Sequence, residues 1–167
     1  LVLKNPAAEN NSRLRRELLP NLLALVETNA LHRDRFILYE IGSVYRPAPE
    51  GCDQPRHCAA VGYVSEKAGK LQDLFLYLKG AVEEMSRHLN AGTLLFEKID
   101  DTSKPWQGTG TAMNIVLNGA AVGTIGYLAP PFLDVYEKGA QVVWFEVSLD
   151  QLSGSRYPEM TYEEIPV

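Results

Sequence analysis

Residues 111–128, TAMNIVLNGAAVGTIGYL, leave the backbone few choices. Asn118-Gly119 separates two runs in which apolar residues alternate. Asn and Gly tolerate the positive φ that a tight two-residue turn requires, so the stretch predicts a β-hairpin. A hairpin commits its two strands to antiparallel pairing, and the remaining segments have to be arranged around it.

Residues 35–46, RFILYEIGSVYR, are nearly continuously apolar and β-branched, which predicts a strand buried on both faces. PAPEGCDQP follows as a Pro- and Gly-rich loop, and HCAAVGYVS reads as a returning strand. TLLFEKI at 93–99 and QVVWFEVSL at 141–149 are further strands. A first helix is predicted from Pro20 to about His32, because Pro is tolerated where a helix begins. Leu22, Val26 and Asn29 share one side of it, widened by Leu23, Leu25 and Ala30. A second helix is predicted over 72–89, where Leu74, Leu78, Val82, Met85 and Leu89 step by three and four. Gly80 inside it costs about 1 kcal/mol against Ala, which marks a possible close approach. A short helix is expected after Pro130-Pro131, and 153–167 reads as irregular. Hairpin connections dominate over βαβ units. The expected class is α+β, an antiparallel or mixed sheet covered by helices on one face.

A chain of 167 residues supports one domain with a real core. It lacks an initiator Met and stops at EEIPV, so residues 1–167 read as a single domain cut from a longer protein. No apolar run reaches the ~20 residues of a membrane helix, and no signal peptide is visible. The net charge of −5 argues against a surface that binds DNA or other nucleic acid by bulk electrostatics. Against that average, Arg13, Arg15, Arg16, Arg33 and Arg35 cluster near the start. Cys52 and Cys58 are spaced wrongly for a CxxC pair and have no second pair, so they are expected to be free thiols in the cytoplasm and to hold no metal.

No active site assembles from residue types and spacing. There is no GxxxxGK[ST] loop, and GTGTAMNI at 108–115 reads as a loop-to-strand turn that aims no helix N-terminus at a phosphate. His32 and His88 fall near predicted helix C-termini, and His57 points away from Cys58 along a strand. The carboxylate pairs Glu83-Glu84, Asp100-Asp101 and Glu163-Glu164 are scattered. Trp106 either anchors its loop on the core or stacks a ligand.

The opening stretch carries a family resemblance. Asn5-Pro6, Ser12-Arg13-Leu14-Arg15 and Leu18-Leu19-Pro20-Asn21-Leu22-Leu23 are similar to a pattern of the phenylalanine–tRNA ligase β subunit. Residues 36–45, FILYEIGSVY, resemble that family's "lFEiGrvF" strand, and Leu78-Lys79-Gly80 with Glu83 its DLKGxxE helix start. Asn118-Gly119, Gly123, Gly126 and the strand Val143-Trp144-Phe145-Glu146-Val147 complete an ordered set. Tyr77 stands where the family has Asp, and Ala129-Pro130 where it has His-Pro.

The resemblance implies a class II aminoacyl-tRNA synthetase-like fold, an antiparallel sheet flanked by helices, in a catalytic-like module that is itself inactive. It implies a synthetase α subunit and, through the holoenzyme, tRNA-Phe as partners. ATP and magnesium would be used by that holoenzyme, with no cofactor on this segment. Arg46 would be the remnant of a phosphate-binding motif 2 arginine, without the acid that should follow, since Pro47-Ala48 stand there. The motif 3 strand would end in an arginine; here it offers Glu146 and Asp150 instead. Arg15 is expected to order the turn into the helix that begins at Pro20, and Arg13 and Arg16 to face a partner or tRNA. The alternative is a regulatory domain that binds a small ligand in a pocket of Trp106, Tyr127 and Trp144.

Overall fold

The computed structural model describes residues 14–68, 71–99 and 103–153. The hairpin forms where the sequence predicts it. Strands β6 (Gln107–Leu117) and β7 (Ala120–Leu128) pair antiparallel across Asn118 and Gly119, at φ 51° and 80°. Both residues therefore hold the left-handed conformation that a type I′ turn demands at its two central positions. β6 begins earlier than expected: residues 108–110 belong to the strand rather than to a preceding turn, with the register irregular between Gln107 and Ala112.

The other strands extend this hairpin in both directions. β5 (Leu95–Lys98) pairs with β6, and β8 (Gln141–Ser148) lies beside β7. β4 (Arg56–Val64) follows β8, and β1 (Arg35–Ser43) forms the far edge. The sheet order is β1-β4-β8-β7-β6-β5, antiparallel at every pairing. The Pro- and Gly-rich stretch between β1 and β4 is a small hairpin of its own, β2 (Arg46–Ala48) and β3 (Gly51–Asp53).

Two helices cover the sheet, one on each face. Helix α1 (Leu19–Ala30) buries Leu19, Leu22 and Val26 against Ala59, Val61 and Tyr63 of β4 and Val142 and Trp144 of β8. Helix α2 (Leu71–His88) buries Leu74, Leu78 and Val82 against the alternate residues Cys58, Ala60, Val143, Phe145 and Val147. The expectation of helices on one face is thus corrected. β4 and β8 are apolar at consecutive positions, and each parity needs its own cover. Helices α3 (Pro130–Leu133) and α4 (Leu149–Ser153) are short.

β1 corrects a second expectation. It is an edge strand, and only one of its faces is covered. Phe36 and Leu38 pack into the α1-side core, whereas Tyr39 is 74% and Ile41 60% exposed. It ends at Ser43, so Arg46 is not on it. Leu78-Lys79-Gly80 lies inside α2 rather than at its start, and a side chain at Gly80 would meet open space, not a close neighbour. Expectations for residues 1–13, Asp100-Asp101 and 154–167 fall outside the described residues.

Gly119→Val should lower the unfolding free energy by roughly 1–3 kcal/mol, because a β-branched residue is strained at this φ. Urea denaturation followed by circular dichroism measures it; an unchanged midpoint would mean that the turn tolerates another conformation.

Candidate functional site

Helix α1 begins without a capping side chain of its own. Leu18 occupies the N-cap position, and Pro20 in the first turn has no N–H. The amides of Leu18 and Leu19 still need an acceptor. Glu146, on β8, supplies it. The Leu18 N–H lies 3.0 and 3.2 Å from its two carboxylate oxygens, and the Leu19 N–H lies 3.0 Å from Oε2. A third donor reaches the same group: His57 Nδ1, on β4, stands 2.8 Å from Oε1. A carboxylate only accepts, so Nδ1 carries the proton. Both side chains of this pair are over nine-tenths buried. The negative charge at the start of α1 is further favoured by the helix dipole.

Just upstream, Arg15 ties the entering chain to β1. Its Nε donates to the Ser43 carbonyl at 2.9 Å, its guanidinium pairs with Glu40 at 2.5 Å, and its own carbonyl accepts the Tyr45 N–H at 2.8 Å. Gly42 makes this possible, since a Cβ there would collide with the Arg15 guanidinium. Arg16 and Pro20 are exposed, and Arg13 lies outside the described residues.

Beside Glu146, on the α1 face, opens a cleft of about 370 Å³. Trp106 and Trp144 both line it, with His57, Asn114, Thr124 and Gln151. Among the described residues the ring nitrogens His57 Nε2 and Trp144 Nε1 are buried and have no hydrogen-bond partner. Tyr127 does not join the tryptophans as expected. Its ring stacks on Phe75 of α2 at 5.0 Å between centroids, on the other face, because its position on β7 has the opposite parity. Arg46 reaches the rim from β2 and is exposed. Asp150 turns away from the cleft: its carboxylate accepts the Arg56 N–H at 2.8 Å, which holds it below the usual carboxylate range. At the rim Lys104 pairs with Glu17.

A family model described as the phenylalanyl tRNA synthetase beta chain CLM domain matches residues 1–149. The chain belongs to that family. The phenylalanine–tRNA ligase beta subunit of Symbiobacterium thermophilum is 31% identical over 99% of this chain and 19% of its own length. That of Bacillus subtilis is 32% identical over 99% of this chain and 21% of its own length. The chain therefore spans about a fifth of the length of the curated relatives it matches. Among solved structures, pyrrolysyl-tRNA synthetase from Desulfitobacterium hafniense aligns with a TM-score of 0.62 at 13% identity, covering 83% of this chain and 48% of that one. That likeness concerns the fold: a class II synthetase-like antiparallel sheet flanked by helices.

In this CLM domain, residue types alone pointed past the two groups at the centre of the cleft. His57 stands out in sequence only as a neighbour of Cys58, and Glu146 only as an acid where an arginine is expected. The available signal was indirect: no Ser, Thr, Asp or Asn precedes Pro20 closely enough to cap α1, so an acceptor had to come from elsewhere. Among the described residues no group of His, Cys, Asp and Glu is arranged to hold a metal ion, and no helix is long and apolar enough to cross a membrane.

Glu146→Ala strands two amides and a buried imidazole and should cost roughly 3–5 kcal/mol. Glu146→Gln keeps one acceptor oxygen and should cost less, about 1–3 kcal/mol. Equal urea midpoints for the two variants would mean that the carboxylate oxygens do not hold the helix start.

The two thiols should also separate. Cys58 is buried on the α2 face, and burial first, then the nearby Glu146 charge, push its pKa up to about 11. Cys52 is half-exposed on β3. At pH 8 a disulfide reagent should modify Cys52 promptly and Cys58 only on unfolding; rapid reaction of both in the native protein would contradict this burial.

Proposed function

We propose that this CLM domain is a catalytically silent module of a phenylalanine–tRNA ligase β subunit. Its work is to support assembly with an α subunit, for ATP-dependent attachment of Phe to tRNA-Phe in the cytoplasm. ATP and magnesium then act on the holoenzyme's other subunit, and tRNA-Phe is met through the whole assembly.

The observation that carries this reading is the state of Glu146. A synthetase face that grips a triphosphate needs cations on its sheet. Here a buried carboxylate stands on the sheet, already engaged by two amides and a histidine. Replacing it by a cation would leave the start of α1 without its acceptor. Arg46, the nearest candidate for a phosphate-binding arginine, is on a separate exposed hairpin with Pro47 and Ala48, not an acid, at the next two positions. These residues do not fit a nucleotide triphosphate. Arg16 and the N-terminal arginine at 13 remain proposed partner-facing residues, and Arg15 a positioning residue for the helix start.

Pyrophosphate exchange with Phe, ATP and magnesium tests the first half of this reading. The chain alone should give only background turnover, whereas it should co-purify with the α subunit expressed beside it. Exchange activity from the chain alone would overturn the silent reading. Failure to associate with the α subunit, in a protein with a normal melting transition, would overturn the assembly role.

A further inference from the structure

The two edges of the sheet are finished differently. β5 is four residues long and carries Glu97 and Lys98, which suits a strand left open to water. β1 is nine residues long, and Ile37, Tyr39 and Ile41 stand exposed on it. Alternate residues of a strand share a face, and the registers Tyr39↔Ala60 and Ile41↔Cys58 put these three on the α2 side of the sheet. Helix α2 covers β4 and β8 and leaves them uncovered. Its near flank adds a fourth apolar side chain. Phe75 and Lys79 turn toward Tyr127 of β7 and Phe96 of β5. Tyr77 lies across the buried stripe of Leu74 and Leu78 from them, on the flank toward β1, and is exposed. An apolar groove therefore runs along β1 that no described residue covers. Folded chains cover or blunt such an edge, because it invites pairing with other chains.

The chain itself brings a cover to one end of this groove. After β8, helix α4 crosses to β4: Leu152 is buried with Cys58 in the α2-side core, and Asp150 accepts the Arg56 N–H. Cys58 pairs with Ile41 and Arg56 with Ser43, so the chain leaves α4 one strand away from the Ser43 end of β1. The residues that follow are GSRYPEMTYEEIPV, 154–167. Extended, they reach about 46 Å, whereas β1 spans about 30 Å, so they cross the groove with length to spare. Tyr157, Met160, Tyr162 and Ile165 supply apolar side chains. Pro158 and Pro166 suit an extended segment laid over the face rather than one more hydrogen-bonded strand. The charges match in position as well. Arg35, at the far end of β1 and on the same face as Ile37, makes no ion pair among the described residues, and neither does Arg33. Glu163 and Glu164 stand nine and ten residues beyond Gly154, which brings an extended segment level with those arginines.

We infer that residues 154–167 lie along β1 on its α2 side, covering Ile37, Tyr39 and Ile41, with Glu163 and Glu164 beside Arg33 and Arg35. The groove is a docking site for a segment of the same chain. This is independent of the assembly reading, and its failure would leave that reading standing.

Amide hydrogen exchange of the whole 167-residue chain, read by mass spectrometry, tests it. Residues 156–165 should exchange at least about ten-fold more slowly than in a free synthetic peptide of residues 154–167. Ile41→Asp sets a charge in the groove at a position that the described fold leaves exposed. It should return the segment to the free-peptide rate while β4 and β8 keep their protection, which reports that the variant is folded. Arg35→Glu should speed exchange of the segment about two- to five-fold, and adding Glu163→Arg and Glu164→Arg should restore the parent rate. If Ile41→Asp does not fold, the charge reversal decides. Exchange of 156–165 at the free-peptide rate in the parent chain would overturn the inference. So would protection that folded Ile41→Asp leaves unchanged. Protection of 156–165 that vanishes on dilution would overturn it too, since a second copy would then be the occupant of the groove.

Discussion

Glu146 joins three pieces of chain that are far apart in sequence. It accepts from the first amides of α1, more than a hundred residues upstream, and from His57 on the neighbouring strand. Because the start of α1 has no cap of its own, the position of that helix on the sheet depends on this carboxylate. The α1-side core depends in turn on the helix: Leu19, Leu22 and Val26 pack over Val61, Tyr63 and Trp144 only if α1 enters at that point. One buried, fully engaged acid therefore ties together a helix end, two central strands and the floor of the cleft.

The same acid sets the chemistry of the cleft floor, because it stands on β8 among the lining residues. A cation on β8 would serve a phosphate; a carboxylate on β8 serves the protein's own backbone instead. Arg15 completes the arrangement from the other side, binding the Ser43 carbonyl and Glu40 in space left by Gly42. Between them, Glu146 and Arg15 hold the chain that leads into α1.

The antiparallel architecture was legible in the sequence because its signals are local. Asn118-Gly119 works through two φ angles, and the stepping of Leu74, Leu78 and Val82 through the period of one helix. Burial was less legible, because it depends on what lies opposite. RFILYEIGS and AAVGYV look alike as apolar runs, yet the first is an edge strand with Tyr39 and Ile41 exposed and the second is buried on both faces. Strand order settles that difference, and strand order is non-local. The candidate site was partly legible in the same sense. Trp106 and Trp144 do line one cleft, but Tyr127 stacks on Phe75 across the sheet, since one residue of register decides the face.

By itself the sequence determined the hairpin, the two amphipathic helices, the free thiols and the ordered motifs of a class II relative, all of which follow from dihedral preference, periodicity or residue identity along a short stretch. Only the tertiary structure decided that the helices take opposite faces, that Asp150 turns to Arg56, and that Glu146 and His57 form the buried pair under α1. Those outcomes depend on hydrogen-bond distances between strands and a helix end that the chain brings together by folding, and no local pattern encodes a distance.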